Sequence, residues 1–141
     1  MTDPFLARLA QQHWVRRIHP NEPNKFVLLA DPVADGAAFV QVIEIFDVGG
    51  CTPPNRHQAA QELFLVLHGS GEAEVDGVLV PLQRGSTLLL MPGCMHVVRN
   101  TGETRLYCLT TMVPNEDFAE LIRSGTPASL DDEDLRLLGW H

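Results

Sequence analysis

The chain has 141 residues, 45% hydrophobic and 20% charged, the proportions of one ordinary globular domain with room for a core. Its formal net charge of -8, with much of the acid in Asp131-Asp132-Glu133-Asp134, excludes a nucleic-acid or anionic-membrane surface built on clustered Lys and Arg and reads as solubility. No run approaches the roughly 18 apolar residues of a membrane span, Met1 to Arg8 lack a secretory pattern, and the three cysteines lack a C-x-x-C spacing, so a cytoplasmic protein with reduced thiols is expected.

Residues 5–14 carry Phe5, Leu6, Leu9 and Trp14 toward one side of a short helix. The stretch His19-Pro20-Asn21-Glu22-Pro23-Asn24 reads as loop, because proline removes a donor and biases its neighbour away from helix. Lys25 to Ala30 is β-like, and Asp31-Pro32 and Asp35-Gly36 mark turns. Ala38 to Val48 is a long strand rich in Val, Ile and Phe, apolar on both faces. Such a strand lies between an interior and a second covering, either another layer or a second subunit. Glu62 to Gly69 repeats the pattern. Gly71 to Val80 reads as a hairpin turning at Asp76-Gly77, a pair suited to positive φ. Thr87 to Met91, His96 to Asn100 and Thr104 to Val113 supply three further strands.

Many short strands between closely spaced turns predict a sandwich or barrel, with a jelly roll among the options. After Val113 the pattern becomes helical. Asn115 can cap a segment carrying Phe118, Leu121 and Ile122 that Gly125 ends, and Ser129 with Asp132 resembles a capping box for a second short helix. These helices either pack on the outside or one end of the β-structure, or form a lid over a cavity mouth.

Two stretches answer each other. The first runs from Gly49 through Asn55, His57 and Glu62 to Gly69; the second runs from Gly85 through Met91, Pro92, Gly93 and His96 to Asn100. Together they resemble the paired signature of the cupin family, G-x5-H-x-H-x4-E-x6-G followed by G-x5-P-x-G-x2-H-x3-N. Two positions depart from it: Asn55 stands at the first histidine, and Met91 at the proline. The resemblance implies an all-β, single-domain, jelly-roll-like antiparallel β-barrel. Residues 1–141 form one domain on this reading, with the barrel at about 25–113, a short N-terminal extension and a helical tail at about 114–141. It also implies one divalent transition metal held by His57, Glu62 and His96, with Asn55 as a fourth candidate.

The chemistry agrees with that placement. Side chains alternate along strands, so Glu62 shares a face with Phe64 and Val66, and His96 shares one with Val98 and Asn100. A carboxylate projecting into an apolar interior is costly to keep ionised, and a divalent cation removes the cost. Two imidazoles and a carboxylate leave coordination positions open, and the mixed N/O set suits Fe, Mn, Ni, Co or Zn. Asn55 has two readings, a weak neutral ligand or water anchor and a turn residue after Pro53-Pro54. The whole cluster also has a metal-free reading, a barrel that has lost its ion.

Elsewhere the signals are weaker. Cys94 reads as a small buried hydrophobe or a thiol near the site, and a crosslink would need it to meet Tyr107. His68 reads as a rim residue. Gln41 and Glu44 either reach the cavity or face solvent. His13, His19 and His141 have no partner spacing. The resulting expectation is a metal-dependent enzyme on a small organic substrate, of dioxygenase or isomerase/lyase type. The alternatives are a non-catalytic module that binds a small ligand or metal for sensing or storage, and an empty structural relic. The doubly apolar strands, and the resemblance, point to a homodimer.

Overall fold

The computed structural model describes residues 4–18 and 22–141. Among the described residues ten strands form two antiparallel sheets. They are β1 (Val15–Arg17), β2 (Lys25–Ala30), β3 (Val40–Phe46), β4 (Gln61–His68), β5 (Ser70–Val75), β6 (Val78–Gln83), β7 (Thr87–Leu90), β8 (His96–Arg99), β9 (Leu106–Val113) and β10 (Thr126–Pro127). The larger sheet has the order β10-β1-β2-β3-β9-β4-β7, and the smaller β6-β5-β8. Three short helices join them: α1 (Pro32–Asp35), α2 (Phe118–Arg123) and α3 (Asp132–Leu138). The architecture is the expected β-sandwich of jelly-roll type with a helical tail.

Alternation along the strands sorts the core. Phe46, Phe64, Val66, Ala73, Leu82, Leu90, Val98, Leu106 and Cys108 face inward from both sheets as one cluster. Phe26, Leu28, Val40, Val42 and Met112 form a second cluster at one end, closed by Ala119 and Ile122 of α2. The opposite face of the large sheet supplies Val27, Ile43, Ile45 and Tyr107, covered by Leu130, Leu137, Leu138 and Trp140 of the tail. The double burial of β3 therefore comes largely from the chain's own C-terminus. A second subunit is not needed to explain it.

The β5–β6 hairpin turns at Asp76 and Gly77, both at positive φ (46° and 84°), as the Asp-Gly pair requires. Where the chain passes from β4 to β5, Gly69 has φ 88°, and a Cβ there would lie 2.5 Å from the Arg105 carbonyl oxygen. No other residue meets both conditions without strain. Asn100, the last position of the second motif, is also structural. Its buried Nδ2 donates to the carbonyls of Phe46, Asp47 and Thr104 at 3.1, 3.1 and 2.9 Å, tying the end of β8 to the end of β3.

Three expectations need correction. Residues 5–14 form no α-helix: only Ala10–Gln12 make a 3-10 turn, with Phe5, Leu6 and Leu9 exposed. A helix this short is held by burial of one face, and nothing covers this one. The turns around Asp31 and Gly36 enclose α1, capped by the Asp31 side chain at Val33 and Ala34 N–H. The capping box of α3 uses Asp131 and Asp134 rather than Ser129 and Asp132. The loop expected at 19–24 falls partly outside the described residues, as does His19.

The shifted box has a reason. Asp134 is fully buried and takes the Lys25 ammonium, the Tyr107 hydroxyl at 2.7 Å and Arg105 at 3.1 Å, while Lys25 also donates to the Ser129 carbonyl at 3.2 Å. Arg105 further pairs with Asp131 and Asp47. Part of the acidic tail is thus a fastening, not only a solubilising surface. We predict that Asp134→Ala lowers stability by about 3–5 kcal/mol, the usual cost of orphaning a buried charge. Denaturant unfolding measures this, and a loss below about 1 kcal/mol would show that the network holds nothing.

Candidate metal centre

The second sheet is extended by residues 50–55, which run antiparallel to β8. Asn100 N–H donates to the Gly50 carbonyl at 2.8 Å, Thr52 N–H to Val98 at 2.9 Å, and Asn55 and His96 exchange both backbone bonds at 3.0 and 2.8 Å. This pairing carries the chain to His57 beside His96. Residues directly opposite in such a ladder project to one face, so Asn55 stands next to His96. Glu62 enters at the start of β4, opposite Leu90 of β7 and Met112 of β9.

The loop between His57 and Glu62 is held by a residue with no signal in the motif. The Glu116 carboxylate accepts the N–H groups of Gln58, Ala59 and Ala60 at 3.2, 3.1 and 2.8 Å. Those three donors hold its carboxyl below the usual range, against the effect of burial, which leads among the causes. In sequence Glu116 is only an acid near a helix start.

Within this frame His57 Nε2 and His96 Nε2 both approach one oxygen, Glu62 Oε1, at 3.1 and 3.2 Å. One donor atom from each of the three residues lies within 4.8 Å of the others. Glu62 and His96 are buried and His57 is partly so. Burial pushes the Glu62 carboxyl up, but the bonds from both histidines outweigh it and hold it low. The Glu62 bond raises His57, with burial opposing.

His96 Nδ1 lies 3.3 Å from the Cys94 carbonyl, an acceptor only, so Nδ1 carries the hydrogen. In the neutral ring Nε2 then turns a lone pair toward a carboxylate oxygen. That contact calls for a positive charge between them, a proton or a metal ion. Backbone orientation of the far nitrogen is the usual support of a metal-ligating imidazole. Asn55 lines the same cavity but is exposed and makes no side-chain hydrogen bond among the described residues, which places it at the rim.

The cavity measures about 170 Å³ and lies where the two inner clusters meet. Its apolar wall is Ile18, Phe26, Phe64, Phe118 and Leu121; the polar groups are Glu22, Asn24, Glu44, Thr52 and Asn55 besides the cluster. The two helices of the tail therefore divide the roles expected of them: α3 packs outside, and α2 forms one wall of the cavity.

Glu44 is the larger surprise. It alternates with Val42 and Phe46 on the inner face of β3 and is 3% exposed. Gln41 goes to the other face, donating to Thr111 Oγ1 at 3.0 Å. Asn24 Nδ2 donates to Glu44 Oε2 at 3.2 Å and to the Cys51 carbonyl at 3.4 Å. Burial, then the nearby Glu62 charge, push the Glu44 carboxyl up to about 8. Burial also pushes up the thiol of Cys108, its partner across β9. Because both faces of β3 are apolar, sequence alone gave Glu44 no direction.

The remaining residues fall away from the centre. Cys94 packs on the inner cluster while Tyr107 lies in the outer one, so no crosslink joins them. His68 packs edge-on against Tyr107, and His13 lies against Trp140.

The Glu44 shift carries a pH prediction for the metal-free protein. A carboxyl raised in the folded state contributes stability that is full below its ordinary value of 4.5 and is lost as pH rises toward about 8. Relative to Glu44→Gln, the unsubstituted protein should therefore lose about 1.4 kcal/mol per pH unit across that window. Unfolding of both proteins from pH 5 to 8 measures the difference, and parallel curves would show that Glu44 is ionised throughout.

Comparison with known proteins agrees with this fold. The family model for the Cupin domain matches residues 42–112, about half of the chain. Among solved structures, KdgF from Halomonas sp. superposes with a TM-score of 0.67 at 19% identity, covering 79% of this chain and 94% of that one. A predicted oxalate decarboxylase from Thermotoga maritima gives 0.69 at 20%, covering 77% and 99%. An RmlC-like cupin from Shewanella frigidimarina gives 0.66 at 21%, covering 83% and 96%. At these identities the likeness is one of fold. The search of curated proteins found no match. On the family match, and with both motifs folded together around one cavity, this chain belongs to the cupin family.

Proposed function

We propose that the chain is a metalloenzyme acting on a small organic substrate at one divalent transition metal held by His57, Glu62 and His96. The observation that carries the reading is the convergence of two Nε2 atoms on one Glu62 oxygen at 3.1 and 3.2 Å, beside a wall of Phe26, Phe64 and Phe118. The donor set fits Fe, Mn, Ni, Co or Zn and occupies only part of a coordination sphere. Such an ion supplies Lewis-acid polarisation of a substrate oxygen or, when redox-active, electron transfer to O2. The chain's own residues do the rest. Phe26, Phe64 and Phe118 keep water from the substrate, and Asn55 offers an amide at the rim. Glu62 serves as ligand and not as base.

The oxalate decarboxylase likeness supports a small substrate but names none for this chain. The alternative is a module that binds a small ligand or a metal for sensing or storage, and it differs in lacking turnover. Elemental analysis of protein purified without chelator should find close to one transition metal per chain, lost in His96→Ala. Little metal, and no uptake when iron, manganese, cobalt, nickel or zinc is supplied, would overturn the reading. Iron would direct assays to oxygenation, and the other metals to isomerase and lyase reactions.

We further propose a homodimer. The tail covers only part of the large sheet's outer face, leaving Leu63, Leu89 and Val113 there 41%, 52% and 48% exposed. The pairings Leu63 with Leu89 and Gln61 with Val113 place them on one surface. A second copy of the chain would bury this patch. Light scattering should give a dimer mass that falls to a monomer in Leu63→Glu, whereas a monomeric unsubstituted protein would contradict the assignment.

A further inference from the structure

Glu44 is a buried acid that the metal reading does not use, yet it opens onto the same cavity. Its neighbours define its state. Phe26 and Cys108 flank it across β2 and β9, Asn24 holds Oε2, and the nearby charges are the carboxylates Glu62 and Glu22. No Lys or Arg lines the cavity among the described residues. The charge of a divalent ion is met by Glu62 and an anionic ligand, so no cation is left to compensate a further negative charge at the buried Glu44, and the group keeps its proton at neutral pH.

The position of that proton follows from the partners. The Cys51 carbonyl only accepts, so the Asn24 atom between it and Glu44 is the amide nitrogen. Glu44 Oε2 therefore accepts, and Oε1 has no partner among the described residues. A proton on Glu44 is then carried by Oε1, and Glu44 lines the cavity. A neutral carboxylic acid in an apolar site donates a strong hydrogen bond to an oxygen that carries or gains negative charge.

We propose that Glu44, oriented by Asn24, is a hydrogen-bond donor to an oxygen of the ligand held at the metal, and that the site takes small carbonyl or hydroxy-carbonyl compounds without a second anionic group. Size and charge agree. The cavity of about 170 Å³ is close to one that holds a benzene-sized molecule. A phosphate or a second carboxylate remote from the metal would meet Glu22 and Glu44 with no cation to pair it. The inference rests on the metal reading above and assigns Glu44 a contact with the ligand, not with the metal.

The test uses cobalt-loaded protein and two anions. Acetohydroxamate is a planar, singly charged mimic of an oxygen pair developing negative charge, and azide binds the metal alone. Visible absorption follows both titrations. We expect Glu44→Leu to bind cobalt fully and azide as before, and to weaken acetohydroxamate tenfold or more. Glu44→Gln, which keeps an N–H donor in place, should stay within about threefold of the unsubstituted protein, since a neutral donor recovers much of the bond. Equal acetohydroxamate affinity in Glu44→Leu overturns the inference and leaves the metal reading standing. Failure of the unsubstituted protein to take up cobalt overturns both. In the unsubstituted protein, the infrared carbonyl band absent from Glu44→Gln should shift when acetohydroxamate binds. That measurement decides the question without the leucine variant, and an unmoved band overturns the inference.

Discussion

The constraint on which the site depends is the cost of keeping the Glu62 carboxylate ionised inside a sandwich of aliphatic and aromatic side chains. Burial favours its neutral form, and only the two imidazoles that meet one of its oxygens reverse that preference. To bring those rings there the fold needs the strand-like run of residues 50–55 against β8, the bond from Gly93 N–H to the His57 carbonyl at 2.7 Å, and the bonds from Glu116 to the 58–60 backbone. A positive charge among the three side chains satisfies the Glu62 oxygen and the His96 lone pair together. That is why a protein scaffold with this much backbone pairing can hold so polar a centre.

Two buried carboxyls in one cavity have opposite states, and their surroundings explain the difference. Glu62 has two nitrogen partners that hold its carboxyl low; Glu44 has one amide partner, and burial pushes its carboxyl up. In the metal-free protein the charge on the first pushes the second further up. On the two proposals above, the cavity has a cation-binding pole and a hydrogen-donating pole, with Phe26, Phe64 and Phe118 as the wall. Such separation of roles between neighbouring acids is the usual way a site obtains a ligand group and a donor from the same residue type.

The β-structure was legible because alternation, Asp76-Gly77 and the paired motifs all pointed the same way. The β2 bounds, Lys25–Ala30, match the sequence reading at both ends. His57, Glu62 and His96 were legible because fixed spacing on strands brings them together. The N-terminal segment misled because Phe5, Leu6 and Leu9 show helical spacing without any surface to receive them. Glu44 and Glu116 were hidden for different reasons. β3 is apolar on both faces, so its parity could not be assigned, and the Glu116 bonds join segments nearly sixty residues apart. The acids of the tail were read as a solvated run, yet Asp134 is fully buried. Its partners come from two distant segments, Lys25 from β2 and Arg105 and Tyr107 at the start of β9, and no local pattern announces such a meeting.

The central claim is that one metal ion sits where His57, Glu62 and His96 converge. Anomalous diffraction from crystals of the metal-loaded protein tests it most directly. The account predicts a single strong peak about 2.0–2.2 Å from both Nε2 atoms and from a Glu62 oxygen. A peak elsewhere would contradict it, as would no peak with the three side chains still hydrogen-bonded to one another.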